Sequence, residues 1–421
     1  MVKVAIMGYG VVGSGLVELI DENRESKRCP REIVITSILV RDKEKHKNRK
    51  HSDVLTTDIE EFFSKESDIV VEVMGEIRKS LVYVKRALKD KKHVVTANKD
   101  LLAEYGDELF KIANENGVEL KFEASVGGGI PVIKPLIESL AGNNINSIKA
   151  ILNGTTNFIL TKMDKEKLSY QEALKQAKQL GFAESNPEAD VMGYDAARKL
   201  SLLSTLAFNK KVLWKDINIQ GITEVESIDF DYANKLNCKI KLLCISNSSE
   251  KGVYATVKPV FLDNENVLSQ INNEVNAVIF NGDSVGDITL IGKGAGKMPT
   301  GSAVYGDILD IINNRFTKVT AFNGEEAKII KDSQGECLAL LRIKNLNEEA
   351  TIEECKNEFI YSQVIKIQSS EYVGALINKN LEIEETAILV KANSELEVDK
   401  FIEELLKKSY VGDIKKIIKI A

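Results

Sequence analysis

The chain has 421 residues, 43% of them apolar and 29% charged, with a formal net charge of -6. That length allows two or three domains, and the composition is that of an ordinary soluble globular protein. The acidic balance argues against nucleic acid as the main partner, and no segment approaches the ~20 apolar residues of a membrane span. With no charged, apolar or cleavable leader in MVKVAIMGYG, the expected location is the cytoplasm.

Residues 2–7 are apolar with little alternation, as in a strand buried on both faces. They run into Gly8-Tyr9-Gly10-Val11-Val12-Gly13 and then an amphipathic stretch to Ile20. Strand, G-x-G-x-x-G and helix in that order form a dinucleotide fingerprint, with Val11 and Val12 as further cofactor contacts. Gly8 permits the tight turn, Gly10 lets backbone amides approach a pyrophosphate, and Gly13 lets helix and strand pack closely. The alternative is a Gly-rich structural turn.

A second strand at 33–40 ends in Arg41-Asp42-Lys43. An acid at this point suits the ribose 2′-OH of NAD, whereas Arg41 suits the 2′-phosphate of NADP. NADP is therefore the expected cofactor, with NAD as the other option and an ordinary charged turn as the alternative. Residues 43–51 are expected to form a surface loop. Strands at 69–74 and 93–97 each follow a helix-like segment, so the alternation predicts a Rossmann-type, doubly wound parallel sheet. The strand at 93–97 leads into Thr96-Ala97-Asn98-Lys99, at the end of the sheet where ligands bind, so Thr96 and Lys99 can reach a cofactor or substrate. A strand at 118–122 opens into Glu123-Ala124-Ser125-Val126-Gly127-Gly128-Gly129-Ile130-Pro131, whose glycines free the backbone to face a ligand. The first domain is expected to end near residue 132.

In the middle of the chain, a strand at 145–152 precedes Asn153-Gly154-Thr155, read as a turn that starts a helix. Helical periodicity over 168–180 stops at Gly181, a natural C-terminal cap. The next stretch, GFAESNPEADVMGYDAARKL, passes from a broken loop into a helix expected over 191–208. It carries Glu184, Asp190, Asp195 and Lys199. Asp195 and Lys199 are four apart, so a helix places them on one face. The alternative is a solvated acidic loop followed by a surface salt bridge. The histidines are His46, His51 and His93, so acid–base chemistry in this region falls to Lys, Asp or Glu. The five cysteines, Cys29, Cys238, Cys244, Cys337 and Cys355, include no C-x-x-C pair and read as reduced, mostly buried thiols. Strands are expected at 233–245, 253–261, 275–280 and 288–291. A Gly-rich loop at 292–301, with Gly296 facing the cofactor, is expected to open a helix at 302–312 that returns to the first domain. A flexible hinge is the alternative there.

Taken together, residues 8–13, 96–99, 123–131, 152–160 and 181–200 resemble homoserine dehydrogenase over roughly residues 1–320. The resemblance implies NAD(P)-dependent interconversion of L-aspartate 4-semialdehyde and L-homoserine, in the pathway to threonine and methionine. It implies Lys199 as the proton-transferring lysine, with Asp195 holding it. Glu184, Asp190 and Asp195 would hold the substrate's amino group and order the site. Lys99 would lie near cofactor and substrate, and Gly181 would touch the cofactor. It also implies a sodium ion at Glu123, Val126, Gly128 and Ile130, mostly through backbone carbonyls, and a homodimer or homotetramer joined through the sheet of the 133–299 domain. The chemistry of the residues agrees with this assignment. Hydride delivery to an aldehyde leaves an alkoxide that a nearby lysine can stabilise and protonate.

After a polar linker at 313–335, residues 336–421 give strands at 336–345, 359–367, 386–392 and 413–420 and helices at 351–358 and 395–408. This βαββαβ order resembles an ACT domain, an amino-acid-sensing module. The turn Asn345-Leu346-Asn347-Glu348-Glu349-Ala350 lacks the Pro-Gly of that family, which counts against ligand sensing and leaves assembly as the tail's role. Residues 372–377 are apolar and fit either a strand or a connection. An aldehyde-oxidising dehydrogenase would need a nucleophilic cysteine, and none lies in the motif segments. A nucleotide sensor without catalysis would have no use for the acid-rich 181–200 stretch. No kinase is expected ahead of the dehydrogenase, because its motif begins at residue 2.

Overall fold

The computed structural model describes residues 1–23, 30–316, 319–332, 335–367 and 384–420. The short apolar runs of the first third form a six-stranded parallel sheet. Its order is Leu55–Thr56, Ile33–Leu39, Val2–Met7, Ile69–Glu72, His93–Thr96, Leu120–Lys121. The order reverses beside Val2–Met7, which places a ligand crevice at the carboxyl end of that strand. The expected doubly wound sheet is present, with helices Val11–Glu22, Ile77–Lys89 and Lys99–Asn116 covering it.

Helix Lys297–Ile312 returns to this first layer, as expected. Its Val304, Ile308, Ile311 and Ile312 share one buried cluster with Leu16, Val17 and Ile20. The approach is close because both helices carry glycine at the crossing. A Cβ on Gly15 would lie 2.2 Å from the Lys297 carbonyl oxygen, and one on Gly301 2.9 Å from the Gly15 carbonyl carbon. Its start corrects the expected loop: Met298, Pro299, Thr300 and Gly301 are already helical. Proline is tolerated in a first turn because its missing N–H has no intrahelical partner there.

A second sheet has eleven strands among the described residues. Strands Ile145–Ile151, Cys238–Ser249, Gly252–Asp263, Val275–Gly282 and Gly286–Lys293 build its first half. Residues 233–235, expected to begin a strand, instead end the helix Ser227–Lys235. The expected helix over 191–208 is also divided. A short turn, Glu188–Val191, is followed by Gly193 at φ +83°, and the helix proper is Tyr194–Phe208. Gly193 tolerates this left-handed backbone, and a Cβ there would press on Ile219 at 3.0 Å.

The tail runs Cys337–Asn345, helix Glu348–Glu358, Tyr361–Val364, Glu384–Ala392, helix Glu395–Leu405, Val411–Ile420. Its strands pair antiparallel in the order Val411–Ile420, Cys337–Asn345, Glu384–Ala392, Tyr361–Val364. The βαββαβ sequence of elements is therefore as expected, whereas residues 372–377 and Cys29 lie outside the described residues. Strand Val411–Ile420 also pairs in parallel with Gly252–Asp263, Val260 opposite Ile418, so tail and body share one sheet.

One segment expected to be a linker is packed. In the supposed linker, Phe322 is buried and stacks on Phe110 at a centroid distance of 4.6 Å, and Ile329–Ile330 pairs with Val253–Tyr254. The stretch at 43–51 is a mostly exposed surface loop, as expected, anchored where His46 is buried against Tyr9, Arg49 donates to the Tyr9 carbonyl, and the Tyr9 hydroxyl donates to the Lys50 carbonyl. Of the described cysteines, Cys238, Cys244 and Cys355 are buried and Cys337 partly so, all as free thiols. No described helix is long and apolar enough to cross a membrane.

Candidate active site

Four of the residues singled out in the sequence or beside them, Lys99, Asn153, Asp195 and Lys199, gather where the two sheets meet. Gly193 ends the preceding turn and starts the helix, so Asp195 falls in its first turn, where the helix dipole favours a negative charge. Asp195 is only 8% exposed. Its Oδ2 accepts from Lys199 Nζ at 2.7 Å and from Asn153 Nδ2 at 2.9 Å. Its Oδ1 lies 3.1 Å from Lys99 Nζ. Lys199 Nζ also donates to the Leu152 carbonyl at 2.9 Å. Asn153 Nδ2 bridges to Asp190 Oδ1 at 2.7 Å, while its Oδ1 caps the next helix through Thr156 N–H. Lys99 opens the helix after strand His93–Thr96, so one ion pair joins the first sheet's carboxyl edge to the helix Tyr194–Phe208.

The electrostatics follow from these contacts. Burial pushes the Asp195 carboxyl up, but the Lys199 and Lys99 ammoniums outweigh it and hold the group well below the usual carboxylate range. Burial pulls Lys99 down, and Asp195 more than restores it, leaving its pKa raised. Asp190 is shifted upward by burial and by the neighbouring Asp195 charge, against the pull of the Asn153 bond. The cluster thus holds one firmly ionised carboxylate between two lysines, beside a second carboxyl more easily protonated.

Glu184 is not part of this cluster. It is exposed on the 182–187 stretch and makes no hydrogen bond or ion pair among the described residues. Thr155 Oγ1 instead ties that stretch down by donating to the Phe182 carbonyl at 2.6 Å. Gly181 follows the helix Tyr170–Gln179 with φ +78°, the left-handed position expected of a cap. Sequence reasoning gave Asn153 only its turn. Its second role, bonding both aspartates, depends on two residues some forty positions away and leaves no local signal.

The cofactor side is a cleft of about 510 Å³ lined by Gly8, Tyr9, Gly10, Arg41, Lys45 and His46, among others. Gly8 has φ +109°, and a Cβ on Gly13 would lie 2.1 Å from the Gly8 carbonyl oxygen, so the first and third glycines fill the roles predicted for them. Nothing lies within 4 Å of a Cβ on Gly10, which leaves its backbone open to the cleft. Val11 is exposed at the first helical position and Val12 is partly buried behind it. Arg41 stands exposed on the cleft wall, with Lys45 and Lys79 as further cations that the sequence did not single out. Thr96 is fully buried, and its hydroxyl donates to Glu72 Oε2 at 2.6 Å, so this side chain braces the strand end from behind. Gly296, at φ +128°, caps the start of the returning helix.

The Gly-rich turn is held from within. Glu123 is buried, and its carboxylate accepts from the amides of Val132, Ile133 and Lys134 at 2.6, 2.8 and 2.8 Å. Burial raises its pKa, the three amides pulling the other way. That carboxylate is therefore committed to the backbone, and the Glu123 carbonyl itself accepts from the Val126 amide at 3.4 Å. Gly127 and Gly128 take φ of +77° and +56°, and Gly128 packs so closely on Gly294 that a Cβ would sit 2.3 Å from its carbonyl oxygen. Among the described residues no donor reaches the carbonyls of Val126, Gly128 or Ile130, and no cluster of three or more acidic, His or Cys side chains could hold a metal.

The comparisons with known proteins point the same way. Residues 8–123 match the NAD binding domain of homoserine dehydrogenase, and residues 131–309 match the homoserine dehydrogenase family itself. A homoserine dehydrogenase of Bacillus subtilis is 41% identical over 325 residues, 76% of this chain and 75% of its own length. The solved homoserine dehydrogenase of Thiobacillus denitrificans superposes with a TM-score of 0.88 at 31% identity, covering 100% of this chain and 98% of its own. A hyperthermophilic archaeal homoserine dehydrogenase, solved in complex with NADPH, superposes with a TM-score of 0.64 at 29% identity, over 75% of this chain and 98% of its own. The dinucleotide turn, the lysine–aspartate cluster and these likenesses agree, and the chain belongs to the homoserine dehydrogenase family, oxidoreductases that act on a CH–OH group.

Proposed function

We propose that the chain interconverts L-aspartate 4-semialdehyde and L-homoserine, with NADP preferred over NAD and Lys199 as the proton carrier. The observation that carries this reading is the hydrogen bonding of Lys199. Two of its three N–H groups are used among the described residues, by Asp195 and Leu152, which leaves a third for a substrate oxygen. A nicotinamide cofactor held at the glycine turn of residues 8–13 would supply hydride chemistry toward the aldehyde carbon. Lys199 then gives a proton to the oxygen; Asp195 holds its ammonium in place before the transfer and accepts a hydrogen bond from the neutral amine after it. Asp190 and Asp195 face the substrate's ammonium, with Glu184 joining them only if its exposed stretch folds inward. Lys99 balances the added negative charge. Thr96 acts through the backbone, and Gly8, Gly10, Val11, Val12, Gly13, Gly181 and Gly296 form the cofactor's bed.

For NADP, the support is Arg41 beside Lys45 on the cleft wall, three cations with Lys79 where a phosphate would sit. Purified protein should oxidise NADPH when given the semialdehyde, and faster than NADH at equal concentration. Arg41→Ala should weaken NADPH more than NADH by ~1.5–3 kcal/mol, the worth of a charged hydrogen bond. Equal losses for both cofactors would remove Arg41 from the phosphate site.

For sodium, the carbonyls of Val126, Gly128 and Ile130, with that of Glu123, fit a hard monovalent cation better than a divalent metal, because they bring no negative charge. There the ion would fix the turn that faces the cofactor layer. The division into 1–132, 133–299 and 336–421, with the returning helix completing the first, follows the two sheets and the tail. Assembly as a homodimer or homotetramer is proposed through the second sheet, whose strand Gly286–Lys293 ends the strand order with alternating burial.

The tail is proposed as an ACT-like module that serves assembly rather than sensing. Asn347 closes its first turn by accepting from the Ala350 amide at 3.0 Å, taking the place of a backbone-opening Pro-Gly. Titrating threonine into the assay should give weak inhibition or none. Strong inhibition at sub-millimolar threonine would assign the tail a sensing surface elsewhere.

A further inference from the structure

We infer that Arg342, on the tail, is a positioning residue for the active-site carboxylate Asp190, an inference that rests on the reaction proposed above. Arg342 lies on strand Cys337–Asn345 and is 6% exposed. Its Nη1 donates to Asp229 Oδ1 at 2.6 Å and Glu226 Oε2 at 2.8 Å, both on the catalytic body. Its Nε and Nη2 engage Glu385 of the tail at 3.0 and 2.8 Å, which fixes the guanidinium plane. Lys415, from the tail's last strand, adds a 2.7 Å bond to Asp229 and another to the Glu224 carbonyl. Asp229 is itself fully buried and accepts from the Glu226 amide at 2.8 Å, closing the start of the helix Ser227–Lys235. The tail therefore grips residues 224–229 through two cations at once.

That gripped segment leads straight back to the site. The Ile222 amide donates to the Val191 carbonyl at 2.8 Å, one residue from Asp190. Gly221 packs so tightly there that a Cβ would lie 2.3 Å from the Val191 carbonyl oxygen and 2.7 Å from Met192 Cα. Ile222 and Val225 are buried at 0% and 4% exposure, so the span between the two anchor points cannot slide without opening the core. The turn Glu188–Val191 holds Asp190 against Asn153, and Gly193 separates this turn from the helix bearing Asp195 and Lys199. Releasing the 224–229 segment would thus move Asp190 and leave Lys199, Lys99 and the cofactor cleft in place. Since Asp190 faces the substrate's ammonium, the effect should fall on semialdehyde binding.

A second tail–body network supplies the control. Glu395 accepts from Lys258, Tyr254 and Lys416 away from residues 221–229. Full-length Arg342→Met, Arg342→Lys, Glu226→Gln and Lys416→Met are compared with the wild type by circular dichroism and by separate KM and kcat values for semialdehyde and NADPH. Arg342→Met should raise the semialdehyde KM ~3–30-fold, the range of couplings carried through packed networks, and leave the NADPH KM within ~2-fold. Arg342→Lys should recover part of the loss and Lys416→Met should resemble the wild type. Should Arg342→Met not fold, Glu226→Gln, whose side chain is 60% exposed, carries the test and should raise the same KM by the lower end of that range. A folded variant with an unchanged semialdehyde KM, or with both KM values raised alike, overturns the inference. An inactive wild type overturns the reaction itself, and this inference with it, and is thereby told apart from an active wild type matched by its Arg342→Met variant.

Discussion

Replacing Lys199 with Ala should lower kcat by ~10²–10⁴, the usual contribution of a general acid. That corresponds to ~3–5.5 kcal/mol of barrier. The physical reason is that no other cation among the described residues shares its placement. Lys99 touches Asp195 through the opposite carboxylate oxygen, at 3.1 Å, and starts a different helix. Cofactor binding should survive, because Gly8, Gly10 and Gly13 belong to the first sheet's turn. Stability should fall by less than the full cost of breaking a buried ion pair, since Asp195 loses Lys199 at 2.7 Å but keeps Lys99 at 3.1 Å and Asn153 at 2.9 Å. The measurement is a steady-state comparison of kcat, with NADPH binding followed by fluorescence. A variant that keeps more than about a tenth of the wild-type kcat would lie outside the general-acid range and pass the role to Lys99 or Asp195.

Asp229→Ala should destabilise the protein by ~3–5 kcal/mol, the cost of stripping one partner from a buried ion network. Asp229 is fully buried, accepting from Arg342 at 2.6 Å and Lys415 at 2.7 Å. Its loss leaves Lys415 with the Glu224 carbonyl and the edge of Glu226, and the helix Ser227–Lys235 without its capping acceptor. Glu385 continues to neutralise Arg342, which places the expected value toward the lower end of that range. Urea unfolding followed by circular dichroism measures it, and the single tryptophan, Trp214, reports separately on the catalytic body. A loss below ~1 kcal/mol would place this network with exposed ion pairs, which contribute little.

Locally encoded features were legible in the chain. The strand–glycine–helix turn at 2–20 is written in side-chain period and in the steric need for glycine, and Gly8 and Gly13 meet backbone at contact distances only glycine permits. The Asp195–Lys199 pair is likewise fixed by the helix repeat, four residues making one turn, and the two atoms do meet at 2.7 Å. The βαββαβ order of the tail was readable for the same reason.

What only the tertiary structure decided are the contacts between distant segments. Nothing near Asn153 announces that its amide will bridge Asp190 and Asp195, and nothing near Phe322 in a polar stretch announces a stack on Phe110. The division of the helix at Gly193 escaped a periodicity that runs on through it, because the break is set by packing against Ile219 and Gly221 rather than by composition. Arg342 reads as one more charge on a strand until the fold buries it against Asp229, 113 positions earlier. The sequence by itself determined the Rossmann layer, the glycine turn and the Asp195–Lys199 pair, because period and backbone sterics act over a few residues. The tertiary structure decided which acids face the lysines and that tail and body share one sheet, because pairing between segments distant in the chain leaves no periodic trace in it.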